Sequence, residues 1–95
     1  MRVSWTSPAL EELEDILDFI AQENPAAAHR LVTEIVGRTE RLLSENPMLG
    51  RKGRVAETRE LVTPGTPYIV VYRITARVEV LAFVHGARAR PKNFP

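Results

Sequence analysis

TRELVTPGTPYIVVYRITARVEVLAFVH, residues 58–85, holds three β-forming runs separated by two turns. Its middle run, Tyr68-Ile69-Val70-Val71-Tyr72, is apolar without interruption and made of β-branched and aromatic residues. Such a run suits a central strand covered on both faces. Before it, residues 58–63 read as a strand with Thr58, Glu60 and Val62 on one side and Arg59 and Leu61 on the other. Pro64-Gly65-Thr66-Pro67 supplies the first turn and Thr75-Ala76-Arg77 the second. After it, Val78, Val80, Ala82 and Val84 alternate with Glu79, Leu81, Phe83 and His85, the period of a strand. Both connections are too short for a crossover, so the three strands are expected as an antiparallel meander.

Towards the N-terminus the period changes. Arg2-Val3-Ser4-Trp5 alternates briefly, as a short edge strand would. Ser7-Pro8 then reads as a cap followed by proline in the first turn of a helix. Leu10, Leu13, Ile16, Leu17, Ile20 and Ala21 form its apolar stripe, and Glu11, Glu12, Glu14, Asp15 and Asp18 its outer face. Asn24-Pro25 repeats the cap signal. The second stripe is Ala28, Leu31, Val32, Ile35, Thr39, Leu42 and Leu43, ended by Asn46-Pro47. A link this short makes the pair an antiparallel helical hairpin. Gly50-Arg51-Lys52-Gly53-Arg54 reads as a loop, and the tail from Gly86 as lacking regular structure. The expected fold class is therefore α+β, in the order β-α-α-β-β-β, with the helical hairpin on one face of the sheet. The other face is expected to lie open, which points to a partner.

The chain has 95 residues and a mass of 10.7 kDa, the size of one domain spanning 1–95. At 44% hydrophobic and 26% charged it is an ordinary globular composition, neither disordered nor low-complexity. The absence of cysteine excludes a disulfide scaffold, a thiolate zinc site and a cysteine nucleophile. No apolar run approaches the ~18 residues of a membrane span, and acids follow too soon after Met1 for a signal peptide. A cytoplasmic protein without a membrane partner is expected. The net charge of +1 hides an asymmetry: residues 1–50 carry four bases and nine acids, and residues 51–95 nine bases and three acids. The basic half is suited to a polyanion or an acidic protein segment.

The chemistry-bearing motifs are few. His29 and His85 are the two histidines, and neither has a carboxylate at ligand spacing, so no metal and no cofactor are expected. Gly50-Arg51-Lys52-Gly53 lacks the lysine–serine or lysine–threonine of a phosphate loop. Ser4, Ser7 and Ser44 stand at element ends without a nucleophile elbow. The mobile, basic tail makes Arg88, Arg90 and Lys92 the candidates for target contact. Arg51, Arg54, Arg59 and Arg88 are the candidates for steering an acidic partner.

The chain resembles the RelE/ParE superfamily of toxins from type II toxin–antitoxin systems, nearly end to end. The resemblance is carried by Val3-Ser4-Trp5 with Ala9 and Leu13, Ile16 and Ile20, Asn24-Pro25 with Ala27-Ala28, and Leu43 with Asn46-Pro47. It continues through Gly50-Arg51, Thr58-Arg59-Glu60-Leu61, Tyr72-Arg73, and Val84-His85 with Ala87-Arg88 and Pro91. The resemblance implies a toxin neutralised by an antitoxin in a hetero-oligomer. That antitoxin would be encoded beside it, bind DNA, and wrap the toxin with an acidic segment. The implied target is DNA gyrase in the ParE-like branch, or messenger RNA on the ribosome in the RelE-like branch. A toxin relic serving only as an antitoxin-binding co-repressor is a third reading. Metal-free RNA cleavage needs a base, a cation and an acid, and Arg59, Arg73, His85 and Arg88 are the groups available. Arginine stabilises charge but is a poor general base. The same arginines also serve cross-strand pairing with Glu57, Glu60 or Glu79. The tail after His85 carries no tyrosine and no second histidine. The lack of acid/base groups favours the ParE-like branch.

Overall fold

The computed structural model describes residues 1–94. β1 (Val3–Trp5) leads into α1 (Ser7–Glu23). Thr6, rather than Ser7, caps this helix, its hydroxyl accepting the Ala9 N–H at 3.3 Å. Asn24 caps the second helix through the Ala27 N–H at 3.0 Å. That helix is one continuous rod of three parts: α2 (Pro25–Arg30), a π-helical stretch Leu31–Val36, and α3 (Gly37–Glu45). The π-helical turns advance one residue further per turn than an α-helix. They move the buried stripe from Leu31 to Val36, while Val32, expected in the core, is exposed. Leu10 is likewise turned out of α1, and Ala9 and Leu13 take the core positions.

The sheet has five strands in the order β1-β5-β4-β3-β2, with β2 (Arg51–Lys52), β3 (Arg59–Val62), β4 (Tyr68–Ile74) and β5 (Val78–His85). β3, β4 and β5 form the antiparallel meander. The expected loop at 50–54 contributes a two-residue edge strand, β2. β1 lies parallel to β5, Val3 beside Val78 and Trp5 beside Val80. Tyr72 pairs with Val80 but Val71 pairs with Ala82, so a β-bulge places one extra residue, Leu81, in β5. The bulge reverses the facing of everything after it. Val78, Val80 and then Phe83 pack under the helices with Val70 and Tyr72, whereas Ala82 and Val84 lie on the far face with Ile69 and Val71. The strict alternation expected for β5 therefore fails at Leu81.

The far face is covered, contrary to expectation, by the chain's own tail. The chain turns after β5, with the Arg88 N–H donating to the His85 carbonyl at 2.9 Å. It then runs back across the sheet. Phe94 packs on Ile69, Val71, Ala82 and Val84, and Arg90 reaches Glu60 of β3 at 3.2 Å. Burying four apolar residues and a carboxylate supplies the driving force that the tail's composition did not reveal.

Candidate functional site

Tyr72 is fully buried and works through its hydroxyl, which donates to the Pro47 carbonyl at 2.6 Å and accepts the Gly50 N–H at 2.8 Å. Gly50 has no room for a side chain, because a Cβ there would stand 2.6 Å from the Tyr72 oxygen. Arg59, opposite Tyr72 on β3, donates to the Gly50 carbonyl at 2.7 Å. These contacts clip the turn after α3 to the centre of the sheet. Burial pushes the Tyr72 phenol up from its ordinary value, against the lowering effects of the Gly50 N–H and the Arg59 charge. A shallow hollow of about 630 Å³ opens beside the clip, lined by Lys52, Arg54, Arg59 and Ile74 among others. Glu57 in this loop holds a left-handed backbone, φ 64°, which a residue with a Cβ adopts at a cost.

On the other side of β3 the cations converge on one carboxylate. Glu60 is 2% exposed. It accepts the Arg54 N–H at 3.1 Å and pairs with Arg90 at 3.2 Å, with Arg51 at 3.8 Å. Burial alone would raise its pKa, but the Arg54 N–H and the Arg90 guanidinium outweigh burial and hold it below the ordinary carboxylate value. The Arg90 side chain is itself only 2% exposed. It also donates to the Arg88 carbonyl, and its Nε has no partner among the described residues.

The remaining candidates lie apart. Arg73 is on the far face, held by Glu79 at 2.8 Å, one of the three pairings foreseen. His85 ends β5 in solvent, its Nδ1 accepting the Ala87 N–H at 3.1 Å and its ring edge-on to Tyr68. Arg59 lies opposite Tyr72 and His85 opposite Tyr68, so they are separated by about 13 Å along β4 and by two strand spacings across it. Arg88 extends from the tail to Glu12 of α1 at 3.5 Å and is exposed, as is Lys92. The four candidates for RNA cleavage are thus dispersed: Arg59 is beside the clip, Arg73 is on the far face, and His85 and Arg88 are in the turn after β5, where Arg88 is drawn to Glu12. Arg51 and Arg54 meet at Glu60, Arg54 and Arg59 line the same hollow, and Arg88 is across the sheet. Arg90, foreseen in a mobile tail, is buried. Among the described residues, no three His, Asp or Glu side chains stand close enough to hold a metal ion. No helix there is long and apolar enough to cross a membrane.

Glu12 escaped the reading from sequence, and Glu60, foreseen as a partner of Arg59 or Arg73, instead gathers Arg51, Arg54 and Arg90. Glu12 was assigned to the solvent face of α1, yet it turns to β5 and accepts the Phe83 N–H at 3.4 Å. Burial raises its pKa, opposed by that N–H and by Arg88. Glu60 carried a legible signal: an acid on a strand within the basic half, with arginines nearby to receive it.

Comparison with known proteins places this arrangement. The family model described as the ParE toxin of the type II toxin–antitoxin system parDE matches residues 3–90. A candidate toxin designated Y4kP of Sinorhizobium fredii is 42% identical over 91 residues, covering 96% of this chain and 94% of that protein. The toxin RelE2 of Caulobacter vibrioides is 35% identical over 88 residues, 92% of this chain and 97% of that one. A solved structure of the chromosomal ParDE toxin–antitoxin system from P. aeruginosa superimposes with a TM-score of 0.79 at 25% identity, covering 90% of this chain and 95% of that one.

Proposed function

We propose that this chain, which belongs to the ParE toxin family of type II toxin–antitoxin systems, arrests growth in the cytoplasm by binding DNA gyrase and is held inactive by an antitoxin. The observation that carries the choice of target is the dispersal of the acid/base candidates. His85 ends β5, at the opposite end of the sheet from Arg59. Arg88 follows His85 in the same turn, but its guanidinium pairs with Glu12 of α1 at 3.5 Å. The arginines are instead spread over a broad basic surface, which suits recognition of a large partner. The match to the ParE family supports the same branch.

The test is expression of the chain alone, with DNA damage and transcript cleavage measured side by side. The proposal expects gyrase-dependent DNA damage, no cleavage within codons, and a His85→Gln variant that stays toxic. Arg88→Ala, alone or with Lys92→Ala, should lower toxicity and leave the fold intact. The relative named RelE2 makes RNA cleavage the reading to exclude. Ribosome-dependent cleavage that falls roughly 10²–10⁴-fold in His85→Gln, as loss of a general acid or base would require, would move the protein to that branch. Normal growth on expression would leave only a co-repressor role.

A further inference from the structure

The tail that crosses the far face is tied down by its backbone only at the start. The Gly86 N–H donates to the Pro67 carbonyl at 2.8 Å and the Arg88 N–H to the His85 carbonyl at 2.9 Å. Among the described residues, no main-chain hydrogen bond holds 89–94 to the rest of the chain. Two side chains hold that stretch instead. Arg90 reaches Glu60 at 3.2 Å, and Phe94 rests on Ile69, Val71, Ala82 and Val84. Ala89, Pro91, Lys92 and Asn93 between them are exposed.

Space lies along both flanks of the stretch. A hollow of about 490 Å³ separates it from the start of α1 over Leu81 and Val84, and one of about 240 Å³ separates Lys92–Phe94 from Thr58 and Arg73. Unfilled flanks add little dispersion attraction to the two anchors. Lifting the stretch also relieves a burden. Closed, it buries the Arg90 guanidinium with its Nε lacking a partner among the described residues, and water would satisfy that group. Glu60 keeps the Arg54 N–H at 3.1 Å and Arg51 at 3.8 Å when Arg90 leaves. No strand pairing runs through the tail, so the sheet stays whole. A segment held by so few contacts opens at less cost than the sheet beneath it.

We propose that residues 89–94 are a strap that opens and closes as one unit over an intact sheet, and that the closed strap holds the chain back from its target. Closed, both tail arginines are engaged by the chain's own carboxylates, Arg88 by Glu12 at 3.5 Å and Arg90 by Glu60. Opening frees Arg90 and uncovers Ile69, Val71, Ala82 and Val84, a surface both cationic and apolar. A ligand that takes only the open form binds in proportion to the fraction open, so loosening either anchor strengthens apparent binding. The second half of the proposal rests on the reading that the chain acts by binding gyrase. The strap itself does not.

The experiment loosens one anchor of the full chain and reads the other by NMR. Glu60→Gln removes the charged partner of Arg90, and the methyls of Ile69, Val71 and Val84 under Phe94 are read with a soluble paramagnetic agent. The open fraction should rise roughly tenfold to hundredfold, as loss of a charge-assisted hydrogen bond requires, while Val70 and Val80 under the helices stay shielded. Phe94→Ala leaves Glu60 in place, and exchange of the Arg90 Nε–H should quicken at least about tenfold, the effect of losing a half-buried ring. Both variants should inhibit gyrase supercoiling at concentrations at least about threefold lower than the wild type. Anchors that respond only locally, each variant leaving the other end unchanged, would overturn the strap, as would exposure that spreads to Val70 and Val80. A strap that opens without any gain in inhibition would overturn the self-restraint. Failure of all three forms to inhibit gyrase refutes the choice of target, and the cross-read anchors still decide the strap.

Discussion

Replacing Tyr72 by phenylalanine removes one oxygen and leaves two backbone groups without partners. The Gly50 N–H is buried, and it would lose its 2.8 Å acceptor. The Pro47 carbonyl would lose its 2.6 Å donor, but Pro47 is only half-buried and water can replace part of that bond. An unsatisfied buried group costs about 1–3 kcal/mol, so the buried amide takes the upper part of that range and the carbonyl the lower. The expected loss is about 2–4 kcal/mol, or roughly 10–25 °C in Tm for a domain of this size. Urea unfolding measures the first and a thermal scan the second. Native-state exchange should rise at the Gly50 amide more than at the amides of β4. Gly50→Ala provides the check, since its Cβ would meet the Tyr72 oxygen at 2.6 Å and the ring Cε1 at 2.8 Å. In the Tyr72→Phe background the first clash disappears while the second and the 3.0 Å approach to the Glu60 carbonyl remain. The double variant should therefore lose about 0.5–3 kcal/mol less than the two single losses combined. A Tyr72→Phe cost below about 0.5 kcal/mol, the range of surface changes, with unchanged Gly50 exchange, would refute the clip.

Phe94→Ala should cost about 1.5–2.5 kcal/mol, half the value for a fully buried phenylalanine, and should speed proteolysis of the tail in a limited-digestion assay. Glu60 has a lowered pKa, so its stabilisation is complete above the ordinary value of 4.5 and is lost as pH falls through the folded value; the stability gap between the wild type and Glu60→Gln, followed by acid titration, should close below that pH. Tyr72 has a raised pKa, so the unfolded chain ionises first and stability should fall as pH rises through 10, a decline that Tyr72→Phe should flatten in alkaline denaturation curves. Asn24→Ala removes the cap that meets the Ala27 N–H and should lower stability by about 1 kcal/mol in the same urea assay.

The helical hairpin and the meander were legible because each rests on a local period. The stripe of α1 and the β-branched run at 68–72 describe their own surroundings. What stayed hidden depends on registers between distant segments. Residues 80–84 are apolar throughout, so nothing in the string marks Leu81 as the extra residue that turns Phe83 under the helices. The π-helical turns at Leu31–Val36 are hidden in the same way, because an apolar residue stands at both 32 and 36. The tail was misread for a different reason. Arginine and proline are what a mobile segment contains, and only the fold brings Arg90 to a carboxylate thirty positions away. The site shares that limit. Arg73 could be singled out with Glu79 among its possible partners, but Glu12, which engages Arg88, is identified only by the packing of α1 on β5.

The pairing of β1 with β5 has a consequence for how the chain is born. Val3 is made well before its neighbour Val78. The helical hairpin closes on local contacts and can form early. The sheet cannot close until β5 has been made, at about 5–20 residues per second. A nascent chain therefore lacks a closed sheet until β5 has been made. Free chains truncated before Val78 should be cleaved rapidly by protease at the β3–β4 turn, while the full chain resists. Equal resistance in both would show that β5, and with it the pairing to β1, is dispensable for closing the sheet.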